Sequence, residues 1–236
     1  KYFVGNWKMF GDFTSIKIIH QINRFCTSFK QKGTKNRIVL CVPNILINYF
    51  TKKLKSSRIS IGAQNCHHSK SYGAFTGSVN ASMLRKAGAK YIILGHSENR
   101  LEGESNLLIK RKIESATIEK LNIIFCIGES IKEKKQGKTF NVLKKQIKSS
   151  LDKKINLKKI IIAYEPIWSI GTGKVPKTSE LKVIFKFIKN EFKKSFKTKS
   201  FPIVLYGGSV NGKNITMLSS IAEIDGFLIG GASQSS

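Results

Sequence analysis

No apolar run in this 236-residue sequence approaches the roughly 18 to 20 residues needed to cross a bilayer, so no membrane partner is expected. No secretory leader is visible either: Tyr2-Phe3-Val4 runs directly into Gly5 and Asn6. Cysteine is scarce, with Cys26, Cys41, Cys66 and Cys126 and no C-x-x-C pair. Cys41 and Cys126 lie in apolar runs, where a free thiol behaves as a small hydrophobe. This usage points to a reducing compartment and hence to the cytoplasm. A metal site is not expected. His67-His68 has Cys66 beside it but no carboxylate near it in sequence, and neighbouring side chains on a strand or loop usually point apart.

Acidic residues are also few, 14 against 42 Lys and Arg, for a net charge of +28. Lys supplies 36 of those 42 bases and is spread along the chain. A nucleic-acid-binding protein would cluster its bases on one element among aromatics and favour Arg for base readout, so no specific nucleic acid is expected. Lys134-Lys135, Lys144-Lys145 and Lys193-Lys194 read as solvated helix faces. A basic surface still attracts small anions.

What is present is ordinary globular composition, 41% hydrophobic and 24% charged, in a length that buries a sizeable core. Eight apolar strand-like runs recur: Tyr2 to Gly5, Arg37 to Val42, Ile59 to Ala63, Tyr91 to Leu94, Ile123 to Ile127, Ile160 to Tyr164, Ile203 to Tyr206 and Gly226 to Ile229. Most are continuously apolar, as strands buried on both faces should be. Between them lie segments of helical period, clearest over Thr14 to Phe29, Ser105 to Lys120, Phe140 to Lys153 and Ser179 to Phe196. Ser179 followed by Glu180 reads as a helix N-cap with an acid in the first turn. Alternating strands and helices imply parallel pairing through right-handed crossovers. Eight such units fit the α/β class and a single (β/α)8 barrel domain over residues 1–236. The rival, an open doubly wound sheet, usually carries Gly-x-Gly-x-x-Gly after its first strand, and Gly5-Asn6-Trp7-Lys8 is not that turn. The chain opens on Lys1 rather than Met, and only Ala232 to Ser236 follow the last strand and its glycine pair. A full barrel would close with another helix, so the expectation is a barrel lacking its last helix.

In such a barrel the loops at the C-terminal strand ends build the active site. Strand one leads into Asn6-Trp7-Lys8, strand four into His96-Ser97-Glu98, strand six into Glu165-Pro166, strand seven into Gly207-Gly208-Ser209 and strand eight into Gly230-Gly231. A Lys, a neutral donor and a carboxylate base suit proton transfer beside a carbonyl. Glycine-rich turns expose backbone N–H groups that suit a phosphate.

Together Asn6-Trp7-Lys8-Met9, Gly95-His96-Ser97-Glu98, Ala163-Tyr164-Glu165-Pro166 through Gly171-Thr172-Gly173-Lys174, Tyr206-Gly207-Gly208-Ser209-Val210 and Gly230-Gly231-Ala232-Ser233 resemble the triosephosphate isomerase family. The resemblance runs from residue 1 to about residue 234, and the Glu165 stretch is its most specific part. It implies interconversion of dihydroxyacetone phosphate and D-glyceraldehyde 3-phosphate through an enediolate, with no cofactor and no metal. It implies Glu165 as the base, His96 as the donor to the substrate oxygens, and Lys8 as positive charge for phosphate and oxyanion. Asn6 would orient substrate and Lys8, and Glu98 would contact the Lys8 ammonium. Backbone N–H groups of Gly171, Ser209, Gly230 and Gly231 would hold the phosphate, under a lid formed by Pro166 to Lys174. The resemblance further implies a homodimer through the loop from Gln64 to Gly77, with Thr76 reaching the partner's Asn6 region. Ser78 and Asn99 stand where the family usually has an interfacial Glu–Arg pair; losing both avoids an unpaired charge. Between Arg100 and Gly103 the chain is one residue short of the family pattern, so the helix there is expected to shift. A different phosphosugar enzyme on the same fold would be expected to alter the Glu165 lid or the His96 motif, and neither is altered.

Overall fold

The computed structural model describes residues 1–28, 36–54 and 57–235. Eight parallel strands close on themselves in sequence order: β1 (Tyr2–Asn6), β2 (Arg37–Cys41), β3 (Ile59–Ala63), β4 (Tyr91–Leu94), β5 (Asn122–Ile127), β6 (Ile160–Tyr164), β7 (Ile203–Tyr206) and β8 (Gly226–Ile229). Tyr2 pairs with Gly226 where β1 meets β8, which closes the barrel. Every strand falls within a residue or so of its expected span, because a run that is apolar on both faces has only one place to go.

The alternation along each strand divides two cores. Val4, Val39, Tyr91, Ile93, Ile124, Cys126, Ile161, Ala163, Leu205 and Leu228 point inward and fill the barrel. Leu40, Ile61, Ile92, Phe125, Ile162, Val204 and Phe227 point outward against the helices. The helices are α1 (Ile16–Ser28), α2 (Asn44–Lys53), α3 (Ala81–Ala87), α4 (Ser97–Leu101), α5 (Asn106–Ile118), α6 (Ile131–Lys135), α7 (Thr139–Ser150), α8 (Thr178–Phe196) and α9 (Ile215–Ser219). In α8, Leu181, Ile184, Phe185, Ile188 and Phe192 recur at helical spacing and are buried. Full burial of each such side chain is worth about 1.5–3 kcal/mol.

Two expectations need correction. Ser179 is not the N-cap of α8. Lys177 takes that position in extended backbone, and Ser179 lies inside the first turn. The preceding Pro176 is buried, so the chain enters the helix earlier than the Ser-Glu pattern indicated. The rings of His67 and His68 do not point apart: their centroids lie 4.3 Å from each other, and His67 also stacks on Phe75 at 4.3 Å. The first helix was expected to reach Phe29, which lies outside the described residues; its start at Thr14 falls in a 3-10 turn capped by Asp12.

After β8 the described chain makes a 3-10 turn, Gly231–Ser233, and no further helix. A cavity of about 420 Å³ opens there between α1 and the barrel, lined by Phe3, Ile22, Phe25, Ile38, Leu40 and Ile229 among others. No described helix is long and apolar enough to cross a membrane.

Candidate active site

All the expected site residues collect at the C-terminal end of the barrel. A cavity of about 260 Å³ is lined by Asn6, Lys8, His96, Glu165, Gly171, Ser209, Gly230 and Gly231, with Ile170, Gly207, Gly208 and Leu228 among the remaining wall. Glu98 does not line it but pairs with Lys8 from its rim, 2.6 Å from the ammonium.

Glu165 follows the last residue of β6 and is only 3% exposed. Its Oε1 lies 3.2 Å from His96 Nε2, and its Oε2 accepts the Ser97 N–H at 3.3 Å. Burial pushes the carboxyl above the ordinary carboxylate range. The His96 ring, the Ser97 N–H, the Cys126 thiol and the Lys8 ammonium pull the other way and temper that rise. A raised carboxyl in a site with little water is a better base than a solvated one.

His96 precedes α4 as its N-cap, and its Nδ1 accepts the Glu98 N–H at 3.3 Å. An accepting Nδ1 carries no proton. With Nδ1 accepting, the Nε2–H is the donor presented to Glu165 and the cavity. Despite the short segment before Gly103, α4 starts at Ser97, directly behind this cap.

Lys8 adopts the left-handed backbone region, φ 55°, where a residue other than Gly is strained. Two side chains hold it there: Asn6 Oδ1 accepts the Lys8 N–H at 3.1 Å, and Gln64 Nε2 donates to the Lys8 carbonyl at 2.9 Å. Its stem passes over Gly230, where an added Cβ would lie 3.7 Å from Lys8 Cε. Gln64 was expected only as the start of a loop; its role in fixing Lys8 is visible only once the ends of β1 and β3 stand on either side of β2, where the same amide also donates to the Cys41 carbonyl at 3.0 Å.

Two glycines carry a role that the sequence did not show. A Cβ on Gly128, at the end of β5, would overlap the Glu165 carbonyl oxygen. A Cβ on Gly207 would lie 2.8 Å from Glu165 Cγ. At Gly128 the neighbouring strand leaves no room beside the Glu165 backbone, and at Gly207 none beside its side chain. Gly207 therefore makes space for Glu165, whatever its turn offers a phosphate. Gly207→Ala is expected to displace the carboxylate and lower kcat/KM roughly 10- to 100-fold with little change in KM. Steady-state kinetics on the folded variant check this; activity within twofold of the parent would show that the carboxylate tolerates the methyl group.

The lid segment begins at Pro166 and forms a 3-10 turn, Ile167–Ser169. Ser169 is buried; its Oγ donates to the Lys174 carbonyl at 2.5 Å, lies 3.2 Å from Tyr206 Oη and accepts the Ser209 N–H at 3.3 Å. The expected phosphate donor Ser209 thus has its N–H turned onto the lid base here. Gly171 and Gly173 have φ of 69° and 74°, and residues 171–174 are exposed. Behind the lid, Glu129 is fully buried and its Oε1 accepts from Tyr164 Oη at 3.1 Å and Trp168 Nε1 at 3.0 Å. Burial pushes the Glu129 carboxyl up. Lys134, expected as a solvated face residue, lies over the Trp168 ring instead. Among the described residues, no three His, Cys, Asp or Glu side chains converge as a metal ion would require.

The family model described as triosephosphate isomerase matches residues 1–236. The chain belongs to the triosephosphate isomerase family. It is 38% identical to the triosephosphate isomerase of Zygosaccharomyces bailii over 98% of this chain and 93% of that one. It is 41% identical to that of Mycoplasmopsis pulmonis, over 98% of this chain and 91% of that one. The crystal structure of triosephosphate isomerase from Bartonella henselae superposes with a TM-score of 0.88 at 33% identity, covering 99% of this chain and 93% of that chain. The enzyme interconverts dihydroxyacetone phosphate and D-glyceraldehyde 3-phosphate, a step of glycolysis.

Proposed function

We propose that Glu165, His96 and Lys8 carry this isomerisation in the chain, read as one barrel domain over residues 1–236. The observation that supports it is the pairing of a desolvated carboxylate with an imidazole donor, 3.2 Å apart in one cavity. Glu165 removes a proton from the carbon beside the substrate carbonyl. The His96 Nε2–H bonds the carbonyl oxygen as it gains charge, and Lys8 stabilises the enediolate and the phosphate. The hydroxyl proton passes to the former carbonyl oxygen with His96 Nε2 as its relay, and Glu165 returns its own proton to the carbon that had carried the carbonyl, so one carbon is oxidised as the other is reduced. The chemistry asks for no cofactor.

Asn6 orients Lys8 through its backbone, as the 3.1 Å bond supports. Glu98 holds the Lys8 ammonium until substrate arrives. Gly171, Ser209, Gly230 and Gly231 supply N–H groups to the phosphate, with the Pro166 to Lys174 lid moving in to exclude water. For Ser209 this requires that Ser169 Oγ release its N–H as the lid moves.

The active form is a homodimer through the Gln64 to Gly77 loop, in the cytoplasm. The exposed aromatic and aliphatic residues Phe13, Ile45, Tyr72, Phe75 and Met83 support a protein partner at this end of the molecule. The purified chain is expected to isomerise glyceraldehyde 3-phosphate in a coupled assay and to sediment at twice its 26.5 kDa mass. A folded dimer without isomerase activity would overturn the assignment of these residues; full activity in a species that sediments as a monomer would overturn the dimer.

A further inference from the structure

Trp168 is the middle residue of the turn at the lid's base, and it is gripped on two sides. Its Nε1–H donates to Glu129 Oε1 at 3.0 Å along the ring edge. On the ring face, the Lys134 ammonium lies 3.8 Å from the ring centroid. The same ammonium pairs with Glu180 Oε1 at 2.5 Å. Lys134 belongs to α6, behind β5. Glu180 belongs to the first turn of α8, the helix into which the lid runs. One cation therefore joins α6 to both ends of the lid.

The three groups suit each other. An ammonium has three donors and can face a ring and a carboxylate at once. The Lys134 side chain is 27% exposed, so the attraction to the ring is partly shielded from water. Glu129, whose Oε1 holds the ring edge, adds a second negative group facing Lys134. Neither Lys134 nor Glu180 lines the cavity, so neither touches substrate.

We infer that Lys134 is a positioning residue: by gripping Trp168 against Glu180 it holds the lid retracted, and it sets what share of molecules closes over a bound phosphate. The inference rests on reading Pro166 to Lys174 as a lid. Gly171 lines the cavity, yet residues 171–174 stand exposed, and shielding a bound phosphate from water needs the segment to pivot near Ile167–Ser169. That pivot carries the indole with it, whereas Lys134 and Glu180 stay with their helices. The contact thus favours the retracted state and opposes closure.

The test replaces both tryptophans with 5-fluorotryptophan, giving one fluorine resonance for Trp7 and one for Trp168, and titrates 2-phosphoglycolate, a small anion with the phosphate and charge of the enediolate. In Lys134→Met, which keeps the apolar stem, phosphoglycolate should bind roughly two- to tenfold tighter, since closure no longer breaks the cation–ring contact. KM should fall in step, and the free-state Trp168 resonance should move toward its saturated position. Lys134→Arg should restore parental values, and Glu180→Gln should shift all three readouts in the same direction as Lys134→Met. Unchanged or weaker binding in both Lys134→Met and Glu180→Gln would overturn the proposal. A Trp168 resonance that does not move when the parent is saturated would overturn the lid reading itself, while loss of isomerisation in the parent would count against the site assignment instead.

Discussion

Glu165→Gln is expected to lower kcat/KM by roughly 10²- to 10⁴-fold while leaving phosphoglycolate binding measurable, because the amide keeps the shape but cannot take a proton. The same burial that makes Glu165 a useful base makes it a burden on the fold. Its folded carboxyl is raised above the ordinary value by desolvation. A group raised in this way binds its proton more tightly folded than unfolded. Its contribution to stability is complete below the ordinary carboxylate pKa and is lost as pH rises through the folded value. The Gln variant has no such loss. It should therefore gain on the parent between about pH 4 and about pH 7, with the gap opening as pH rises. Urea unfolding of both proteins at the two pH values decides this; a gap that stays constant would mean that the carboxylate is not desolvated in solution. The parent's kcat/KM should fall on the acid side with a midpoint above the usual carboxylate range, since only ionised Glu165 is a base.

The barrel was legible because its strands are apolar on both faces: Ile160 to Tyr164 and Tyr91 to Leu94 fit no solvent-facing element. The long helices were legible from their period, as in α8. The five-residue helices α4, α6 and α9 were not, because they are too short to show one. The active-site side chains could be named since each follows directly on a strand that the barrel rule assigns to the same mouth. What could not be read is anything set by proximity between strands. Gly128 and Gly207 look like turn glycines until β5 and β7 stand on either side of Glu165. Gln64 looks like a loop residue until it reaches the Lys8 carbonyl. Lys134 looks like one solvated lysine among many, because no periodicity or spacing relates it to Trp168 and Glu180, 34 and 46 positions away.

Lys8 couples stability and activity most directly. Its left-handed backbone costs on the order of 1–2 kcal/mol for a residue with a Cβ. That cost persists because Asn6 and Gln64 fix the backbone on both sides. Lys8→Gly removes the strain and the ammonium together. It is expected to unfold at a higher urea midpoint than the parent, gaining about 1 kcal/mol, and to lose roughly 10²- to 10³-fold in kcat/KM. Lys8→Met keeps the Cβ and should lose as much activity without the gain in stability. The pair separates the two effects: a common loss of activity assigns it to the charge, and a gain in stability confined to Gly assigns it to the backbone. Activity within tenfold of the parent in either variant would remove Lys8 from the chemistry. A Gly variant no more stable than the Met variant would show that the turn is unstrained. The expected outcome places the strain where the ammonium must meet phosphate and oxyanion, so the fold gives up stability at the position where its charge acts.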